Sequence, residues 1–453
     1  MRNSIRKQLP LVHAGIDHEH ADELRQISEI LDWFGNELTD LVYADLVRGV
    51  RKPSQGRAGM SAEQVLRTLL IKQMTGFSYE QLRFYLLDST TYRAFCRYGI
   101  GDETPSVATL KHNLKKIGAE TLETINSKIV LQAREQGIEN GKRIRTDCTV
   151  EETNIHKPSD SHLLYDCVRV LARLMHEATG ILTKVAFTDH TARAKRRWRE
   201  IQHTGKEQQR VTLYRELLKI TEKTVCAAAS AAAALGANKS GDMLQIARGS
   251  ALASELNRYG LLAQQVIDQT KRRVLYGETV AAEQKVVSIF EPHTDIIIKD
   301  RRDTYYGHKL CLTTGKSGLV IDCVVEDGNP ADSTLAVRMV ERVRGIFGVV
   351  PSQAAFDGGF ACRDNLVKIK ALGVEDVAFN KKRGLEISEM ASSSWVYRCL
   401  SFFRAGIEST ISFLKRCFGL GRCMWRGLAS YKSYTWASIL SHNLLILARH
   451  RLS

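Results

Sequence analysis

From Asp160 to about Glu283 the chain keeps a helical pattern and contains no proline. On either side the period changes. Lys142–Val150 (KRIRTDCTV) is short, alternating and β-branched, and reads as a strand that contains Asp147. Residues 308–325 (HKLCLTTGKSGLVIDCVV) read as a hairpin turning near Gly315–Gly318. A long helical stretch lodged between strands excludes both a pure bundle and an uninterrupted sheet. It predicts an α/β protein with a mixed sheet flanked by helices and a helical insertion at about 160–285.

The pattern downstream continues that alternation. Asn329-Pro330 fits an N-cap and first helical position, with Asp332 adding charge to the first turn, and the helix is expected to run to about Gly345. Ser352–Phe356 reads as a strand ending at Asp357, before Gly358-Gly359. A helix near Ala361–Leu372, a strand near Asp376–Phe379 and a long C-terminal helical segment follow. Strand, insertion, strand, strand, helix, strand, helix, strand, helix is the element order of the RNase H-like fold.

Upstream, residues 60–120 read as short helices. Ser61 with Gln64 and Ser78 with Gln81 have capping-box spacing, Gly76 is a stop signal, and Phe77 and Leu82 fit a hydrophobic staple. Thr104-Pro105 is expected to open a third helix. Leu110, Leu114 and Ile117 lie on one side of it; Lys111, His112, Asn113, Lys115 and Lys116 lie on the other. Short helices with a basic outward face suggest a helix-turn-helix-like module that touches DNA. Residues 1–40 are polar, with His13, His18 and His20 near acids, and read as a mobile N-terminal arm, with a metal site as the alternative. The expected division is therefore an arm at 1–40, a helical DNA-binding domain at 41–125, and a catalytic domain at 126–453 interrupted by the insertion.

The formal net charge is +15 and the pI about 9.3, a field that favours nucleic acid or an anionic membrane. No run approaches the roughly 18 apolar residues needed to span a bilayer. The alanine-rich stretch Thr224–Ala237 is too short, and no charged-then-apolar leader opens the sequence. Nucleic acid in the cytoplasm is therefore favoured over a membrane. The ten cysteines contain no C-x2-C pair, which argues against a zinc ribbon and for reduced thiols. Arg193, Lys195, Arg196, Arg197, Trp198 and Arg199 form a strongly basic segment within the insertion, either a DNA-facing arm or a solvated helix face.

Glu408 is the only acidic residue from 390 to 453, a stretch with nine Lys or Arg. Arg404, Glu408, Ile411 and Lys415 follow a period near 3.6 and share one helix face. A lone carboxylate among phosphate-binding cations suits a divalent ion brought against a polyanion. Phosphodiester chemistry gains from two such ions about 3.5–4 Å apart, and hard ions such as Mg2+ take oxygen ligands. Asp147 on a strand, Asp357 at a strand end and Glu408 on a helix are the candidate ligands. Any one of the chain's 50 acidic residues is weak evidence; these three in this element order are more specific. His308-Lys309 fits DNA contact and a strand-edge structural role equally; His293 with Asp295 fits a backbone-orienting role, and His442 packing in the last helix.

The residues resemble those of bacterial insertion-sequence DDE transposases with the signature Tyr-x2-Arg-x3-Glu-x6-Lys. Arg404-x3-Glu408-x6-Lys415 matches the spacing, with Ser401 at the Tyr position beside Phe402 and Phe403. Asp357-Gly358-Gly359-Phe360 is similar to the family's second block, and Arg145–Glu151 to its first. His442-Asn443-Leu444 is similar to its closing helix, and residues 40–118 to its leading helical domain. The resemblance implies that Asp147, Asp357 and Glu408 hold two Mg2+ ions, with Mn2+ as a possible substitute. Arg404, Lys415 and Arg416, with Lys111 and Lys115, would contact double-stranded DNA: the terminal inverted repeats and the target. It implies end cleavage, strand transfer by a 3′-hydroxyl, and a homodimer on paired ends. A related nuclease without strand transfer and a DNA-binding regulator are the alternatives.

Overall fold

The computed structural model describes residues 16–52, 59–99, 101–182, 186–238, 240, 242–299 and 303–453. His13 lies outside them. The chain forms two compact units: one runs to Asn154 and resumes at His308, the other comprises Ile155–Gly307.

The first unit opens with seven helices: α1 (Glu19–Trp33), α2 (Glu37–Val47), α3 (Ala62–Thr75), α4 (Tyr79–Asp88), α5 (Thr90–Phe95), α6 (Val107–Leu114) and α7 (Ala119–Glu135). Both expected capping boxes close: Ser61 and Ser78 each accept the amide three residues on, and Gln64 and Gln81 reach back to the cap amides. Gly76 ends α3 at φ +68°. Phe77 stacks on Tyr85 at 4.4 Å. Helix α6 starts at Val107 with Ser106 as its cap, so Pro105 lies just outside it. Asn113 faces inward, bonded to Met60 sulfur, because it and Leu114 lie three and four residues after Leu110 on the buried helix face. The stretch read as an arm contains α1, whose Leu24, Ile27 and Ile30 are buried. Their helical spacing is obscured by the polar residues between them.

Strand β1 (Arg143–Thr153) follows. The second unit then supplies α8 (Asp160–Thr179), α9 (Thr191–His203), α10 (Glu207–Ala237) and α11 (Met243–Thr270), and the antiparallel pair β2 (Asp295–Lys299) with the start of β3 (Asp303–Thr314). Its core packs α8, α10 and α11 through Leu171, Leu217, Leu256 and Val266.

Back in the first unit come β4 (Val320–Val325), α12 (Ala336–Phe347), β5 (Gln353–Phe356), α13 (Arg363–Ala371), β6 (Asp376–Phe379), α14 (Ile387–Met390), α15 (Ser394–Cys417), β7 (Arg422–Cys423) and α16 (Leu428–Leu452). The hairpin β3–β4 turns through Gly318 at φ +87°. Helix α12 starts at Ala336, six residues after Pro330; a 3-10 turn at Asp332–Thr334 precedes it. The strand order is β4-β3-β1-β5-β6, with β7 beside the end of β1. Strand β1 runs parallel to β5, and β5 to β6. Arg145 bonds Thr314 and Thr146 bonds Thr313, so the partners step in opposite directions and β1 runs antiparallel to β3. The fold is a mixed α/β structure with a mixed sheet, buried under α12 and α13 and under α15.

Candidate active site

Strand β1 alternates side chains between its two faces. Its odd-numbered face carries Arg145, Asp147 and Glu151, and each meets a C-terminal helix. Arg145 Nη1 donates to the Phe403 carbonyl on α15 at 2.8 Å, and its Nε donates to Thr314 Oγ1 at 2.8 Å. Its guanidinium also lies 4.7 Å from the centre of the Phe403 ring. Burial lowers the Arg145 pKa, with Glu139 opposing. A β-carbon on Gly406 would stand 1.9 Å from Arg145 Nη1, so glycine there is what lets α15 lie this close to β1.

That docking sets Arg404 over the strand ends. Its Nη2 lies 2.7 Å from Glu408 Oε1, one turn along α15. Its Nη1 lies 3.5 Å from Asp357 Oδ1 and 3.7 Å from Asp147 Oδ2. One guanidinium thus reaches three carboxylates drawn from β1, from the residue after β5 and from α15. Arg404 Nε is buried without a hydrogen-bond partner. The Arg404 side chain is 11% exposed and Asp147 18%, whereas Asp357 is 40% and Glu408 63% exposed. The acids therefore grade from sheltered to open, with the open side toward solvent.

Asp147 Oδ1 accepts the Cys148 amide at 2.7 Å, which fixes its rotamer. Asp357 precedes Gly358 and Gly359; β-carbons there would stand 2.7 Å from Lys381 Cγ and 2.5 Å from Asp332 Oδ2. The two glycines thus let the segment after β5 pass between its neighbours. The acids are hard oxygen donors, which is the chemistry a divalent Mg2+-like ion requires. Among the described residues no three His, Cys, Asp or Glu stand close enough to hold a metal as arranged. Arg404 offsets only one of the three carboxylate charges, and an ion entering there would take carboxylate oxygens that the guanidinium now faces.

The other candidates are spread more widely. Arg416, toward the end of α15, is exposed, and Lys415 is half-buried with Glu151 among its charged neighbours. Lys111 lies 3.8 Å from Glu80 and over the Tyr79 ring, and Lys115 stands over Trp425. His308 is buried against Tyr431, and Lys309 pairs with Asp332 at 2.6 Å. His293 pairs with Glu291 at 2.8 Å. His442 is buried beside Asn443, and burial pushes its pKa down to about 4. Sequence reasoning named Arg145 and Glu151 only as the ends of a block, without a role, and passed over Gly406. A glycine inside a helical pattern was the available signal for Gly406.

Residues 12–116 match the family model described as Transposase domain (DUF772), and residues 290–444 match the Transposase DDE domain. Together the two take in more than half of the chain. The chain belongs to the DDE transposases of insertion sequences. No curated protein and no solved structure matches it. The DDE match covers Asp357 and Glu408, and β1 with Asp147 lies before it. Transposition, and with it action on DNA phosphodiesters, is the general function of such a transposase. No helix among the described residues is long and apolar enough to cross a membrane.

Proposed function

We propose that this transposase cuts DNA at the ends of its insertion element and joins the freed 3′-hydroxyl to target DNA, using Asp147, Asp357 and Glu408. The observation that carries the reading is the contact of one arginine, Arg404, with all three acids. The strand order β4-β3-β1-β5-β6, with β1 antiparallel to β3 and parallel to β5, supports an RNase H-like catalytic domain.

Two Mg2+ ions held by the three carboxylates would activate the attacking oxygen and stabilise the leaving one, with Mn2+ as a substitute. The chain's own residues do the rest. Asp147 is held by the Cys148 amide and lies deepest, where its position is least free. Arg404, once a DNA phosphate is near, exchanges carboxylate for phosphate and places a fixed positive fork where charge develops. Lys415 and Arg416 extend that basic face, and Lys111 and Lys115 on the helical domain hold the element end. Two ends handled together call for a homodimer, acting on the nucleoid in the cytoplasm.

Metal-dependent cleavage and joining of a duplex carrying the element's terminal repeats tests the proposal. Asp147→Asn, Asp357→Asn and Glu408→Gln should each lower cleavage at least a thousandfold while duplex binding in EDTA persists. Full cleavage by any of the three removes that residue from the site. Cleavage without a joined product leaves a nuclease.

A further inference from the structure

Helix α9 of the second unit is built against local preference. It has 13 residues, a length at which an isolated helix is marginal. His190 makes no side-chain cap and the first turn holds no acid; Asp189 takes the Thr191 amide at 2.7 Å and also bonds His176. Arg193 stands near the positive end of the helix dipole. Lys195 and Arg199 are four residues apart, and Arg193, Arg196 and Arg199 are three apart, spacings at which like charges repel. All four cations are exposed, and no ion pair to any of them occurs among the described residues.

Packing holds the helix in spite of this. Ala194 and Ile201 are buried. The Trp198 indole stacks on Tyr165 of α8 at 5.2 Å and 5°, and on His162 at 4.9 Å. Arg197, on the inner side, bonds Glu216 at 2.6 Å and also pairs with Glu200. The aromatic stack and the Arg197 pairs anchor α9 with its uncompensated face turned outward. A native sequence keeps such local conflict where a partner resolves it.

We propose that α9 is a second DNA-binding surface, which takes the phosphate backbone of duplex DNA through Arg193, Lys195, Arg196 and Arg199. The inference rests on the transposase reading only in naming DNA as the polyanion. The four cations span about 9 Å of helix rise. Duplex DNA carries one charge per about 1.7 Å of axis, or about five over that length. The charges therefore match nearly one to one, and contacts made to phosphates carry no sequence information, so binding through them is independent of sequence.

The test is the salt dependence of binding by the full chain to a 30-bp duplex of arbitrary sequence, in EDTA, by fluorescence anisotropy. Each phosphate contact contributes about 0.9 to the slope of log K against log salt. Exchange of all four cations for Gln should lower the slope by about 3.6 units, and Arg199→Gln alone by about one. Exchange of the three arginines for Lys should leave it unchanged. The chain has five tryptophans, so the emission difference between each variant and its Trp198→Phe counterpart reports whether α9 stays docked; if that difference changes in the fourfold variant, the single exchanges decide. Slopes equal to wild type in the Gln variants overturn the inference and leave the catalytic proposal standing. Binding to vesicles with one-third anionic lipid that depends on these residues, with the DNA slope unchanged, also overturns it. A wild-type chain that binds no duplex sinks both.

Discussion

Arg404 and Glu408 are joined by a 2.7 Å ion pair one turn apart on α15, and the same guanidinium faces Asp357 and Asp147. Arginine four residues before glutamate is the weaker orientation for a helix pair. The two acids from the sheet are what give Arg404 reason to lie there.

Arg404 therefore competes with any cation for the carboxylates. A DNA phosphate offers it another partner, so metal and DNA should bind cooperatively, and the coupling must be reciprocal. Titration with Mn2+ by calorimetry should show binding at least tenfold tighter with duplex present than without it. Arg404→Gln should tighten Mn2+ binding about tenfold in the absence of DNA and abolish the coupling. Equal or weaker Mn2+ binding in the variant would mean that the arginine does not guard the acids.

Gly406 governs how closely α15 approaches β1. Gly406→Ala adds a carbon 1.9 Å from Arg145 Nη1 and must displace the helix or the arginine, at a cost of about 1–3 kcal/mol. Cleavage should fall with stability, because Arg404 and Glu408 travel on that helix. Gly260, inside α11, has open space around its added carbon. Gly260→Ala should raise stability by about 0.5–1 kcal/mol. Urea denaturation separates the two; equal effects would remove the Arg145 contact as the cause.

Glu151 gives a pH signature. It is fully buried, Thr435 donates to Oε2 at 2.6 Å, and Oε1 has no hydrogen-bond partner. Burial raises its pKa to about 8, against smaller opposing effects of Thr435, Tyr431 and Lys415. The folded chain then holds a proton that the unfolded chain releases near pH 4.5. Its contribution is complete below pH 4.5, shrinks as pH rises, is lost through about pH 8 and is level above. Glu151→Gln should flatten the wild-type decline in Tm between pH 5 and 8, with parallel profiles above. Parallel profiles throughout would mean that Glu151 does not titrate this way.

Asn443 ties α16 to the sheet. Its amide donates to Asn126 Oδ1 and to the Val320 carbonyl, both at 2.7 Å, and its oxygen accepts the Val320 amide at 2.8 Å. Both Asn443 and Val320 are buried. Asn443→Leu strands those groups without water, and denaturant unfolding should show a loss of about 3 kcal/mol. A loss under 1 kcal/mol would mean that the groups find other partners.

Much of the architecture is legible in the sequence because it is local. The strand β6 and the hairpin β3–β4 follow from short alternating or apolar runs bounded by turn residues, and both capping boxes from Ser and Gln three apart. The start of α12 is not legible, because Asn329-Pro330 has the chemistry of a helix start while the chain spends those residues on a turn beside Lys309. The acids could be nominated from the basic setting of Glu408 and the strand end at Asp357. The guanidinium shared among them depends on Arg145 and Gly406 meeting across 261 positions of sequence, which no periodicity encodes.

Strand β1 is joined to β5 by partners 210 residues apart, and Arg145 meets the Phe403 carbonyl across 258. At about 5–20 residues per second, synthesis leaves β1 waiting roughly 10–40 s for its neighbour. Until α15 has left the ribosome, Asp147 has neither Arg404 nor Glu408 beside it. The helices that precede β1 share one core with α16, which is made later still, so a half-made chain holds no assembled blade to turn on the chromosome.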